Sequence, residues 1–209
     1  MSGSFPTTPA PAEIAIRTIQ PARVSIAHSL KRQSRTANAQ RWGLTLQFAP
    51  LTHEQLAPLF AFIVSQRGRY DTFTYTLPSG AKGPWPVRGA LGGAPLVNNQ
   101  VGSPEEVQTG RTLNINGCSL NITNWAKAGD FFKVSGHSKV YMVTANVDSN
   151  GSGQAALTID PALVSGPAHG EALTFSSVPF TVALAEDTQE VTARLRPQYG
   201  FSLELIEAY

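Results

Sequence analysis

The stretch Arg41-Trp42-Gly43-Leu44-Thr45-Leu46-Gln47-Phe48 alternates strictly between apolar and polar positions. Trp42, Leu44, Leu46 and Phe48 fall on one side of an extended chain, with Thr45 and Gln47 on the other. That is the period-two signature of a strand with one buried and one wet face. The rhythm returns where Phe73, Tyr75 and Leu77 are interleaved with threonines. It recurs in Phe180, Val182 and Leu184, in Val191, Ala193 and Leu195, and in Tyr199, Phe201, Leu203 and Leu205. The 18 glycines and 15 prolines punctuate these short runs, and the chain reads as mainly β.

One segment departs from the period of two. Leu56, Leu59, Phe60, Ile63 and Val64 recur at spacings of three and four and form one stripe of a helix. Thr52 followed by Gln55 predicts a capping box, Leu51 and Leu56 a hydrophobic staple, and Gly68 a left-handed stop. Pro58 conflicts with this pattern, because a proline inside a helix loses a backbone bond and crowds the preceding turn. Either the regular helix starts near Pro58 or its first turn is distorted. The stripe should lie across the aromatic face of the flanking strands.

After Pro84-Trp85-Pro86 the character changes, and residues 88–110 are rich in Gly, Pro and Asn with little periodicity. Short strands then follow at 113–115, 131–134, 140–145 and 156–159, with tight hairpin turns expected at Asn116-Gly117 and Asn150-Gly151. This is the content of a small barrel. The architecture expected is a discontinuous β-sandwich or barrel domain with one helix, built from residues 1–87 and 177–209. It carries a small OB-like β-barrel domain, residues 88–176, as an insert. Residues 1–12, rich in Pro, Ser and Thr, read as a flexible arm.

Composition narrows the function. The hydrophobic content of 42% supports a packed core, whereas charged residues reach only 14%, against roughly 25% in ordinary soluble domains. A surface made polar by Thr, Ser, Asn and Gln suits a protein that lives inside an assembly. The net charge of +2 is too small to imply a nucleic-acid partner. The run Lys31, Arg32 and Arg35 alternates with polar residues and reads as a solvated strand or hairpin face. Cys118 stands alone, which excludes an internal disulfide and a repeated-cysteine metal cluster, and it reads as a buried small hydrophobe. The N-terminus has neither a basic region nor an apolar core of the secretory kind, and no window is apolar enough to span a membrane. Synthesis in a cytoplasm and no membrane partner are expected.

Convergent chemistry is hard to find. His28, His53, His137 and His169 sit in different elements without metal-ligand spacing. Ser34 and Ser135 lack the nucleophile-elbow context. Glu105 and Glu106 are adjacent and would point apart. Gly151-Ser152-Gly153-Gln154 has no phosphate-loop lysine and reads as a turn. No catalytic, metal-binding or cofactor-binding residue is assigned, although a dispersed Ser-His-Asp triad stays open as a third reading. Trp85 and Trp125 flank the insert and either pack at its boundary or offer rings to a saccharide. Trp42 belongs to the core.

Several phrases carry a family likeness. Arg41-Trp42-Gly43-Leu44-Thr45-Leu46, the proline and helix after it, and Tyr70-Asp71 leading a strand resemble the N-terminal domain of siphophage distal tail proteins. Ala128-Gly129-Asp130-Phe131-Phe132-Lys133-Val134, then His137, Lys139-Val140-Tyr141 and Val143, and finally Ile159-Asp160-Pro161-Ala162-Leu163 resemble the inserted OB-like domain of this protein in flagellotropic and T-five-like phages. Tyr199-Gly200-Phe201-Ser202-Leu203 fits the closing strand. The resemblance implies a structural protein of the virion tail, not an enzyme. It implies a homo-oligomeric, hexameric ring joining the tail tube protein to the baseplate hub and tape measure protein at the tail tip, with the inserts projecting outward. A related tail-tip family holds an iron-sulfur cluster on several cysteines, and the solitary Cys118 argues against that branch. The alternative is a carbohydrate-binding module in which the insert grips a host saccharide through Trp85 or Trp125.

Overall fold

The computed structural model describes residues 3–37, 39–78, 85–100, 107–193 and 199–209. Pro84, Glu105, Glu106 and Leu195, named above, lie outside these. With 40% of residues in strands and 7% helical, the fold is mainly β. In chain order the elements are β1 (Glu13–Ile19), β2 (Ala22–Ile26), β3 (Arg32–Thr36), β4 (Arg41–Gln47), α1 (His53–Ser65) and β5 (Phe73–Thr76). There follow β6 (Gly93–Val97), β7 (Thr112–Cys118), β8 (Phe131–Val134), β9 (Val140–Val143), β10 (Ala155–Asp160) and β11 (Leu173–Thr174). The last are β12 (Pro179–Leu184), β13 (Thr192–Ala193), β14 (Tyr199–Gly200) and β15 (Ser202–Glu207). The chain divides into two compact units, one of Met1–Thr76 with Thr181–Tyr209 and one of Leu77–Phe180.

In the first unit a five-stranded sheet runs in the order β1-β4-β15-β12-β5. Its register places Leu44 between Ile16 and Leu205, and Leu46 between Ile14 and Leu203. The alternation read in β4 is the buried face: Trp42, Leu44, Leu46 and Phe48 are all buried, while Gln47 is exposed. In β12, Thr181 and Ala183 are buried along with Phe180, Val182 and Leu184. A strand covered on both sides no longer shows which face is wet.

Helix α1 starts at His53, ahead of Pro58, which sits inside it. The Gln55 side-chain oxygen accepts the Thr52 N–H at 3.0 Å, the half of the capping box that ties the helix start to its own first turn. The left-handed stop begins one residue earlier than expected, since Arg67 (φ 56°) and Gly68 (φ 65°) both adopt it. Leu56, Leu59 and Ile63 are buried, but Val64 is exposed. The ring meeting the sheet is Phe62 instead, edge-on to Phe73 with centroids 5.3 Å apart.

Within the segment read as an arm, Ser4 and Phe5 pair and pack. Ser4 bridges to Thr74, the Phe5 N–H donates to the Thr74 carbonyl at 2.8 Å, and Phe5 packs among Phe62, Phe73 and Tyr75. One buried aromatic is enough to pin a segment otherwise lacking apolar residues. Strands β2 and β3 form a separate antiparallel hairpin, with every strand residue exposed.

In the second unit a six-stranded sheet runs β11-β8-β9-β10-β7-β6. Its ends return to one another: the Val97 N–H donates to the Glu171 carbonyl and the Gly170 N–H to the Val97 carbonyl, at 2.8 and 2.9 Å. The sheet is thereby a nearly closed barrel. Its interior holds Leu113, Ile115, Phe132, Tyr141, Val143, Leu157 and Ile159, together with Cys118. Burial pushes the Cys118 thiol up to about 11, so it is a packing residue and a poor nucleophile.

Two expectations are corrected in this unit. The run at 88–110 contains a strand, β6, whose Pro95 falls in the irregularity between Gly93 and Leu96 where the ladder with β7 is interrupted. Asn116-Gly117 is no turn but part of β7, where Gly117 (φ 74°) faces the Ala94 carbonyl and the pairing with β6 slips between Gly93 and Leu96. A positive φ serves a bulge as well as a hairpin turn. At Asn150-Gly151 a tight turn does form, its Asn150 side-chain oxygen accepting the Ser152 and Gln154 N–H groups at 2.9 Å each.

Candidate functional site

The phrase Ala128-Gly129-Asp130-Phe131 folds around one carboxylate. Asp130, about 1% exposed, accepts the backbone N–H groups of Arg88 at 2.6 Å, Gly89 at 2.9 Å and Lys127 at 2.8 Å. Asp130 thereby bridges the entry of the unit to the turn before β8. Gly89 is required there, because a Cβ would come within 2.4 Å of the Trp125 carbonyl oxygen. The other end of the unit is tied in the same way, with the Ile159 N–H donating to the Arg111 carbonyl and the Leu163 N–H to the Gly110 carbonyl. The quoted motifs are therefore architectural.

The two tryptophans diverge. Trp125 is fully buried, edge-on to Phe175 at 5.5 Å, and its Nε1–H donates to the Gly92 carbonyl at 2.8 Å. With both faces packed it has none to offer a sugar, which favours packing over saccharide contact among the two readings open for it. Trp85 is 38% exposed. It lies against Phe131 and donates its Nε1–H to the Gly129 carbonyl at 3.0 Å.

The four histidines do not converge. His137 joins a polar chain, with Ser165 Oγ 2.9 Å from its Nδ1 and Glu171 Oε2 3.0 Å from its Nε2. The residue types are those of a hydrolytic triad, but the clefts of this unit lie elsewhere, lined around Asn98 and around Trp85. His137 links the turn after β8 to the start of β11, a closure of the barrel wall. Among the described residues there is no group of three or more His, Cys, Asp or Glu placed to hold a metal ion, and no helix long and apolar enough to cross a membrane.

Sequence reasoning passed over a polar cleft of about 240 Å³, lined by Asn98, Asn99, Val107, Gln108, Thr109, Thr112 and Asn114. Gln108 builds it. Its Nε2 donates to the Asn98 and Asn114 carbonyls and to Asn99 Oδ1, at 2.9 to 3.1 Å, while its Oε1 accepts the Asn114 N–H. Thr112 and Asn114 are the outward positions of β7, alternating with buried Leu113 and Ile115. That alternation was the available signal; what the sequence did not show was the pairing that brings Asn98 beside them.

The second candidate surface is the β2–β3 hairpin. It presents Val24, Ile26 and Leu30, all more than half exposed, among Arg23, Lys31, Arg32 and Arg35. Arg23 stands directly opposite Arg35, and no acidic residue occurs between Gln20 and Ala37. Facing like charges are unfavourable in an isolated hairpin.

Comparison with known proteins bears on the second unit. Residues 87–178 match the family model of the B domain of the distal tail protein pb9. A comparison with curated proteins finds no match. Distal tail proteins are structural components of the phage tail, a typically non-enzymatic family, and the virion tail is the location this implies. Segment 87–178 is thus similar to the B domain of distal tail proteins, and that match supports a phage distal tail protein.

Proposed function

We propose that the chain is a ring-forming connector of a siphophage tail tip, a homo-hexamer that joins the tail tube to the baseplate hub. The first unit supplies the ring and the inserted OB-like unit projects from it. The observation that carries this reading beyond the family match is the β2–β3 hairpin. A two-stranded ribbon with no covered face is marginal by itself in water, and its exposed Val24, Ile26 and Leu30 gain a reason if neighbouring subunits bury them. Its uncompensated cationic charge favours an acidic face on the neighbour. A ring closes by heterologous contacts, in which each subunit offers one patch and receives another, and a projecting hairpin fits the donating role. Tube and hub proteins then cover the two ends.

Negative-stain microscopy and mass photometry of the purified full chain at high concentration test this. Closed rings of uniform subunit number are expected; a strict monomer at every concentration and salt condition overturns the proposal. A second reading, saccharide contact through an exposed ring, rests on Trp85 alone. Its check is phage adsorption after Trp85→Ala, where unchanged adsorption removes it.

A further inference from the structure

Charge is segregated along this chain. Residues 14–53 include no acidic side chain, and residues 140–193 no lysine or arginine. Among the described residues of the first unit, each arginine outside the β2–β3 hairpin has a partner in the same chain. Arg17 pairs with Glu204 at 2.8 Å, Arg67 with Asp71 at 2.7 Å and Arg69 with Asp187 at 3.4 Å, and Arg41 lies over the Tyr209 ring. Arg23, Lys31, Arg32 and Arg35, all exposed on the hairpin, form no ion pair among the described residues.

The hairpin sorts its side chains by face, because cross-strand partners share one. Val24 and Ile26 stand with Ser34 and Arg32 on one side, and Arg23 and Arg35 stand with Ser25 and Gln33 on the other. The two arginines line an open cleft of about 540 Å³ at the base of the hairpin. Set opposite each other, their guanidiniums repel, and a carboxylate between them converts that repulsion into charge-assisted hydrogen bonds.

The loop after β12 has the opposite character. Glu186 and Glu190 are exposed and form no ion pair among the described residues. Asp187 accepts the Arg69 N–H at 3.0 Å, and Gln189 Nε2 donates to the Glu186 carbonyl at 3.0 Å, so the loop is held in place before any partner arrives. Hairpin and loop do not meet within one chain. The hairpin leaves the sheet after Ile19, opposite Arg41, whereas the loop leaves after Leu184, which the register sets level with Leu205, Leu44 and Ile16. They depart from opposite ends of the sheet, with β4 and β15 between β1 and β12.

From this separation we infer that the hairpin docks on the 185–190 loop of a second copy of this chain, with Glu186 and Glu190 facing Arg23 and Arg35. The inference rests on the ring-forming reading and names the surface that receives the hairpin. A donating and a receiving patch at opposite ends of one sheet are what a heterologous contact requires.

The test is sedimentation velocity of the full chain over a concentration series. It compares the parent, Arg23→Glu with Arg35→Glu, Glu186→Lys with Glu190→Lys, and all four changes together. The positions are exposed, so thermal unfolding should match the parent in every case. Each double variant should need at least about tenfold more protein to assemble, because like charges brought together at an interface oppose it. That loss should shrink as salt rises. The fourfold variant should assemble as the parent does, and so should an equimolar mixture of the two double variants, in which every hairpin finds a loop of opposite charge. Assembly indifferent to Glu186→Lys with Glu190→Lys overturns the inference and leaves ring formation standing. So does a hairpin variant whose loss the fourfold variant does not repair, since the cations then serve another partner. A parent chain that never self-associates overturns the ring reading and this inference with it.

Discussion

The β2–β3 hairpin and the β7–β10 pair are both antiparallel ribbons of ordinary length, and their surroundings differ completely. In the second, Leu113 faces Leu157 and Ile115 faces Ala155, all within the barrel. In the first, Val24 faces Ser34 and Ile26 faces Arg32, all in solvent. Backbone pairing is the same in kind, so the difference in covered apolar surface decides which ribbon is stable by itself. The barrel is complete as one chain. The hairpin has the composition of a surface waiting for another molecule.

If that contrast is right, injuring the barrel has the largest effect on the single chain. Phe132 is fully buried and stacks on Tyr141 and Phe175 at 5.6 and 5.3 Å. Phe132→Ala should cost about 3–5 kcal/mol, read from the urea transition of the intact chain followed by tryptophan fluorescence. A loss under 1 kcal/mol would mean that the barrel is not the closed core described. Asp130→Asn should rank next. It sets an amide N–H against backbone donors now held by carboxylate oxygens and should cost about 2–3 kcal/mol in the same transition.

The sequence disclosed the faces of strands wherever one side is wet, because alternation and burial then coincide, as at Trp42, Leu44 and Leu46. It disclosed the helix for a similar reason, although Val64 turned outward and Phe62 took its place against Phe73. The failures share a cause. Asn116-Gly117 announces a positive φ but not whether a turn or a bulge uses it. Phe5 is a single apolar residue whose pocket is made by Phe62, Phe73 and Tyr75 from later in the chain. Trp125 appeared available because its partner Phe175 lies fifty residues away. Asn98 and Asn114 meet only through strand pairing and Gln108. Local pattern fixes a residue's direction, and its neighbours come from topology.

A smaller effect tests the sheet of the first unit, which is covered like the barrel but has one internal flaw. The Tyr75 hydroxyl is buried with no hydrogen-bond partner. Burial pushes its phenol up to about 12 from an ordinary 10.0. Tyr75→Phe should therefore stabilise the chain by about 1 kcal/mol at neutral pH. The sign of the pH dependence follows from a raised value in the folded state. The tyrosine's contribution is intact below pH 10 and is lost as pH rises toward 12, because the unfolded chain releases the proton more readily. The advantage of the phenylalanine variant should widen over that window in thermal unfolding. A constant difference would mean that the hydroxyl reaches solvent.

The smallest effect on the single chain separates the two ribbons most cleanly. Val24→Ser with Ile26→Ser removes two exposed apolar side chains that touch no described core, so monomer stability should change by no more than about 0.5 kcal/mol. If subunits bury these residues in a ring, each loses the apolar transfer term of a full side chain, about 1.5–3 kcal/mol, and a closed ring suffers it at every interface. Mass photometry should then show the assembled species dissolve at concentrations where the parent chain is ringed, while circular dichroism and the unfolding transitions stay superimposable. Reversing charge with Arg23→Glu and Arg35→Glu should have a similar outcome and respond to salt, since charges at an interface rim act through screened attraction. Assembly unaffected by all four changes would leave the hairpin without a subunit partner, and the ring would have to close through the edges of the five-stranded sheet.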